Sequence, residues 1–432
     1  MKTMINHSRA IILIALIIML SIDTAWSSPS WQQQRYGAVS FSIGAKGYIA
    51  TGYGFVNNAF GYKKDLWEYN PSTDSWTQKA DFGGTARCFA VGFSIGNKGY
   101  IGTGGSSVSL KDFWEYNPTN NTWTQKADLG GVNRACAVGF GIGAKGYLGT
   151  GNRYVDNVLI NLQDFWEYDP ANDTWVQAAD FPAPRYAAVG FSVGAKGYVG
   201  TGLYKVSDNE FIWYDDFYEY DPTTGSWTQK ATFGGHTRGY ATGFSVSTKG
   251  YIGTGNSTIG FLKDFWEYNP DNDTWLQRSD FGGVQRDCAI GFSIGTKGYI
   301  GTGIKAQNQF LQDFWEYNQG TDVWTQKTDL GKKHKGPMKD AEAVIETGQD
   351  DEIALSAYPN PSNSTFNFRL ETASKEFVKI QLFDLSGRLV QEYKSLSPDD
   401  IITVGENLKS GVYVAVIIQG VTRKTVRIAK VQ

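Results

Sequence analysis

The chain has 432 residues, room for two or three domains with ample core. Its formal net charge of −3 offers no basic stripe for nucleic acid, and its three histidines leave little for a histidine-built metal centre. Aromatic residues make up 15%, with 14 tryptophans, which suits sheets packed face to face through large rings.

Lys2 and Arg9 precede the apolar run Ala10–Leu20, and small residues follow around Ala25-Trp26-Ser27. The run is short for a membrane span and stands where a secretory signal belongs, so residues 1–27 are expected to be a signal cleaved near Ser27.

Residues 28–330 repeat one phrase six times. Each copy opens on an arginine (Arg35, Arg87, Arg134, Arg185, Arg238, Arg286) and closes on a tryptophan (Trp76, Trp123, Trp175, Trp227, Trp275, Trp324), the tryptophans recurring every 47–52 residues. In the second copy an apolar stretch, Phe89–Phe93, runs into the turn Gly96–Gly99. Tyr100-Ile101-Gly102-Thr103-Gly104, a variable loop, Asp112-Phe113-Trp114-Glu115-Tyr116 and Asn117-Pro118 follow. Short β-prone segments broken by glycine and Asn-Pro turns predict four antiparallel strands per copy. The spacing is constant from the arginine to the glycine before the tyrosine, and from Trp-Glu-Tyr to the closing tryptophan. All length variation falls between Gly-Thr-Gly and Asp-Phe-Trp, so a fixed scaffold carries one variable loop class.

The glycine pair ending the second strand, the tyrosine of the third and the tryptophan of the fourth make the array resemble kelch repeats, with Gly-Thr-Gly in place of Gly-Gly. The resemblance implies an all-β fold, a six-bladed kelch β-propeller around a central channel, and no particular activity.

On such a propeller the variable loops and the six arginines are expected on one face. The arginines could ring the channel mouth and hold carboxylates. The preferred reading is structural: each copy also has a glutamate (Glu68, Glu115, Glu167, Glu219, Glu267, Glu316), and Arg–Glu pairs between strands would use both sets. Asymmetry is the better guide to a site. The longest loops are Tyr53–Lys64, Asn152–Gln163 and Leu203–Asp215. They supply the candidate ligand-binding residues Tyr53, Asn57, Asn58, Phe60, Arg153, Tyr154, Tyr204, Asp208 and Trp213, rings beside amides and charges that suit sugars or a protein partner. Cys88, Cys136 and Cys288 follow repeat arginines and read as small buried hydrophobes. The Gly-Thr-Gly motifs lack a following Gly-Lys-Ser/Thr and are flanked by strands, so they are no phosphate loops.

Residues 331–352 turn basic and then acidic without aromatics and read as a solvated linker. From residue 353 to 432, period-2 runs return: Phe366, Phe368, Leu370; Val378, Ile380, Leu382; Val412, Val414, Val416, Ile418. They predict a small Ig-like β-sandwich. Tyr358-Pro359-Asn360-Pro361, Phe383-Asp384-Leu385-Ser386-Gly387-Arg388, Ser410-Gly411-Val412-Tyr413 and the ending Lys424–Gln432 resemble the C-terminal sorting domain of the type IX secretion system of Bacteroidetes. The resemblance implies the secretion machinery as a partner, export across both membranes, and release or anchoring at the cell surface.

The expected function is a monomeric, exported binding module for carbohydrate or a surface protein, without cofactor or metal. One alternative is a metal-free carbohydrate-active enzyme like the sialic-acid epimerases among kelch propellers, with Glu210, outside the repeat pattern, as the candidate acid or base. A copper oxidase is disfavoured, because His7 lies in the signal and His334 in the linker, leaving His236 alone on the propeller. A second alternative is an adhesive surface protein without a small ligand.

Overall fold

The computed structural model describes residues 33–56, 59–332, 353–358, 362–372, 377–384, 388–397, 402–419 and 422–431. The expected signal, nearly all of the linker, and Asn57 and Asn58 lie outside the described residues. The chain divides into two compact units, Met1–His334 and Lys335–Gln432.

The first unit holds six four-stranded antiparallel sheets, each built from four strands of a single repeat taken in chain order. In blade two these are Val91–Ile95, Lys98–Gly102, Phe113–Asn117 and Thr122–Lys126, from the axis outward. The first two strands meet in a two-residue turn, Ile95 pairing with Lys98, and Gly96 takes φ +57° there, as primed hairpin turns require. Blade five places Ser247 at the same turn with φ +54°. The glycine of Lys-Gly-Tyr serves packing instead: a Cβ on Gly99 would lie 2.2 Å from the Phe41 ring of the preceding blade.

Neighbouring blades pack through rings. Phe113 lies 4.8 Å from Tyr168 and 5.0 Å from Trp175 of the next blade, and Phe217 repeats this with Tyr268 and Trp275. The outer tryptophan then donates Nε1–H to a backbone carbonyl of the blade before it, as Trp123 does to Ala80 and Trp175 to Ala127. Blade six meets blade one by the same means. Phe314 packs on Tyr69 and Trp76, Trp76 donates to Thr328 O at 2.8 Å, and Thr328 N–H donates to Asp74. The six innermost strands thus touch in a closed ring.

The glutamates do not pair with the arginines, contrary to the expectation. The register sets Tyr100 directly opposite Glu115, and the phenol donates to that carboxylate at 2.9 Å. All six blades repeat this bond, from Tyr48–Glu68 to Tyr299–Glu316. The arginines lie before the first strand, beyond the reach of that pair.

The second unit packs a three-stranded sheet (Ile353–Tyr358, Phe366–Thr372, Ile402–Val404) and a four-stranded sheet (Leu389–Leu396, Val378–Asp384, Gly411–Gln419, Thr422–Lys430) around one core. Phe366, Phe368, Val378, Ile380 and Leu382 are buried in it. In Gly411–Gln419 the expected face is reversed: Tyr413, Ala415 and Ile417 enter the core, while Val412, Val414 and Ile418 are only partly buried. Both faces of that strand are largely apolar, so alternation alone did not separate them.

Candidate functional site

The six arginines build the face that carries the variable loops, and they do so from inside. Each is 0% exposed. Arg87 reaches Asp112 through both terminal nitrogens at 2.7 Å, gives a further bond to Thr103 O and uses Nε for Thr85 O. Arg35–Asp65, Arg134–Asp164, Arg185–Asp216, Arg238–Asp264 and Arg286–Asp313 repeat the pair. Burial would raise the Asp112 carboxyl, but bonding to Arg87 and the charge of that guanidinium outweigh it and hold the group below the ordinary aspartate range. No guanidinium of this set is open to a ligand, which corrects the idea of a carboxylate-binding ring.

The backbone of each arginine is gripped by the blade before it. Gly104 N–H donates to Arg134 O, and Arg134 N–H to Leu110 O, both carbonyl and amide partners flanking the variable loop of blade two. Gly303 and Leu311 of blade six hold Arg35 the same way. Side chain in one blade and main chain in the next, each arginine pins a variable loop at both ends. The loop itself is a β-hairpin in most blades: Tyr53–Val56 with Ala59–Tyr62, Asn152–Val155 with Val158–Asn161, and Leu203–Ser207 with Glu210–Trp213.

Two residues after each arginine, Gly37, Phe89, Cys136, Ala187, Tyr240 and Cys288 all take φ between +51° and +59°. Their amides and carbonyls link head to tail in a closed circle of six hydrogen bonds, from Phe89 N–H to Gly37 O round to Gly37 N–H to Cys288 O. This circle floors the hairpin face at the channel. Phe89 and Tyr240 meet across it, ring centroids 5.9 Å apart, and the remaining cavity is about 120 Å³. Cys88 is buried and Cys136 and Cys288 are partly so, all free thiols, and burial pushes the Cys88 thiol up to about 12.

The predicted ligand residues fall into two groups. Tyr53 and Phe60 belong to an aromatic cluster with Tyr36, Tyr62 and Phe310 of blade six, and Phe60 is 57% exposed. Arg153, Tyr154, Tyr204, Asp208 and Trp213 lie on the adjoining hairpins of blades three and four. Those hairpins are tied by Asn161 Nδ2 to Lys205 O at 3.0 Å and Lys205 N–H to Asn161 Oδ1 at 3.1 Å. Tyr154 is exposed, Asp208 pairs with Lys205, and Trp213 packs beneath the hairpin with Leu203, Leu159, Tyr186 and Tyr240. Glu210 stands exposed at the hairpin tip.

One residue that the sequence reading passed over is Asp287, directly after Arg286. It is 7% exposed, its Oδ1 has no hydrogen-bond partner, and burial pushes its carboxyl up to about 6 against bonds from Cys288 and Asn256. The slot it occupies is Tyr36, Cys88, Ala135, Tyr186 and Gly239 in the other blades, so its irregularity was the available signal. His236 lines an open cleft of about 530 Å³ beside blade five, with Phe261, Lys263, Asp264 and Trp266. Among the described residues no cluster of His, Cys, Asp or Glu could hold a metal ion.

Residues 356–431 match the family described as a secretion system C-terminal sorting domain. A stretch of 67 residues, 15% of this chain, is 42% identical to an N-acetylneuraminate epimerase from Yersinia enterocolitica, and the chain spans only 17% of that relative's length. The solved structure titled "Structure of YjhT" superposes with a TM-score of 0.56 at 16% identity, over 69% of this chain and 99% of that one, a likeness of fold.

Proposed function

We propose that this kelch-type propeller, exported to the cell surface or the medium by its C-terminal sorting domain, works as a binding module whose recognition surface is the hairpin face. One observation carries the reading. The turns on the opposite rim keep one length in every blade, whereas the hairpins differ in length and leave Phe60, Val108, Tyr154, Val158, Phe211 and Ile259 exposed on a single face. A rigid ring with most of its exposed apolar side chains on the variable hairpins, and only Val176, Leu276 and Val323 strongly exposed on the outermost strands, has the layout of a docking surface, for a glycan or a protein. The test is binding of the full chain to a glycan array and to a peptide display library. At least one of Phe60→Asp, Ile160→Asp and Phe211→Asp should abolish whatever binds, while Ala45→Lys and Asn97→Lys on the other rim should leave it intact. The opposite pattern would defeat the reading.

Acid–base chemistry on a sugar is a second reading, favoured by Asp287, a buried carboxyl beside the channel mouth, together with the epimerase relative. Exchange of N-acetylneuraminate anomers followed by NMR should then be accelerated by the chain and lose the acceleration in Asp287→Asn. No acceleration by the unaltered chain rules this reading out.

A further inference from the structure

The hairpins of blades three and four stand side by side, and their two faces differ. Leu159 of one and Leu203 and Trp213 of the other join a single cluster with Tyr186 and Tyr240, which fixes the inner face of both. Directly opposed residues in a hairpin share a face and successive ones alternate. The pairs Arg153–Ile160, Val155–Val158 and Tyr204–Ile212 therefore lie together on the outer face. There Val155, Val158, Ile160 and Ile212 are 38–59% exposed.

Arg153 sits among them. Of the propeller's eight arginines, seven pair with an aspartate or glutamate. Arg153 has no such partner among the described residues, and its Nε is buried without an acceptor. The neighbouring cation, Lys205, is already paired with Asp208. A guanidinium held without a carboxylate, inside a patch of branched aliphatics, is half of a contact.

We propose that this outer face is the docking surface for a protein partner that presents an aspartate or glutamate between aliphatic side chains. The proposal rests on the hairpin-face reading and narrows it to one class of occupant. Tyr204 is the one ring on this face; the branched aliphatic side chains that make up most of it give a sugar nothing to stack on and its hydroxyls no hydrogen bonds, but they match the apolar centre of a protein interface, with arginine as its charged anchor.

The experiment pans a random peptide display library on the immobilised full chain and then measures a synthetic peptide of the enriched consensus. The consensus should hold Asp or Glu within a few positions of Leu, Ile, Val or Phe. Its Kd should rise tenfold or more in Ile160→Asp and in Arg153→Met, with part of the loss restored in Arg153→Lys, while thermal unfolding stays unchanged. A consensus without carboxylates, no enrichment, or a Kd indifferent to both substitutions overturns the proposal. Glycan binding that disappears in Ile160→Asp would also overturn it, yet leave the hairpin-face reading standing. A peptide whose binding survives Ile160→Asp, Phe60→Asp and Phe211→Asp alike would take that reading down as well.

Discussion

At the scale of the residue, two carboxylates near repeat arginines, one bonded to a guanidinium and one not, have opposite fates. Asp112 is kept charged by Arg87, whereas Asp287 has no cation and is pushed toward its neutral form, to about 6. An acid raised above its unfolded value costs nothing where both states are protonated; the cost builds as pH rises from the unfolded value to the folded one and is constant above it. Asp287 therefore leaves stability intact near pH 3 and removes up to about 3 kcal/mol above pH 6. Asp287→Asn should match the parent in urea unfolding near pH 3 and exceed it by roughly 2–3 kcal/mol at pH 8; equal stability at both would show that the carboxyl is solvated. The sequence made the arginines visible but not their partners. Asp and Glu both recur in every copy, and only the strand register, which sets tyrosine against Glu115, leaves Asp112 for Arg87. Asp287 was hidden for the opposite reason: a single acid next to a repeated arginine reads as part of the scaffold.

At the scale of the element, each blade is latched to the one before it through its outermost turn. Asp173 accepts from Tyr168 Oη at 2.7 Å and from Ala127 N–H at 2.9 Å, and Asn121, Asp273, Asp322 and Asp74 do the same, all with positive φ. Blade four has Gly225 there, at φ +63°, with open space around the position of a Cβ. Gly225→Asp should supply the missing bonds to Tyr220 Oη and Ala179 N–H and raise stability by about 1–2 kcal/mol. A lower denaturation midpoint would mean that the joint between blades three and four is set differently from the others. Strand order and blade boundaries were legible because glycine turns and ring positions recur with fixed spacing. That the variable loops are hairpins was not, since their residues alternate weakly and the ladder to the arginine backbone leaves no trace in side-chain pattern.

At the scale of the whole molecule, five joints between blades are also joined by the chain, and the sixth is held by side chains and loop hydrogen bonds alone. That joint should open first. In native-state hydrogen exchange the amides of Arg35, Gly303 and Thr328 should exchange faster than their counterparts Arg134, Gly104 and Ala127, and equal protection would mean that the ring opens only by global unfolding. Because no sheet is shared between the two ends of the ring, each repeat is a complete cassette. A gene duplication or deletion of one repeat would leave no half-built blade behind. What counts the repeats is then the necklace of six hydrogen-bonded peptide groups around the axis, whose curvature a ring of five or seven would have to redraw.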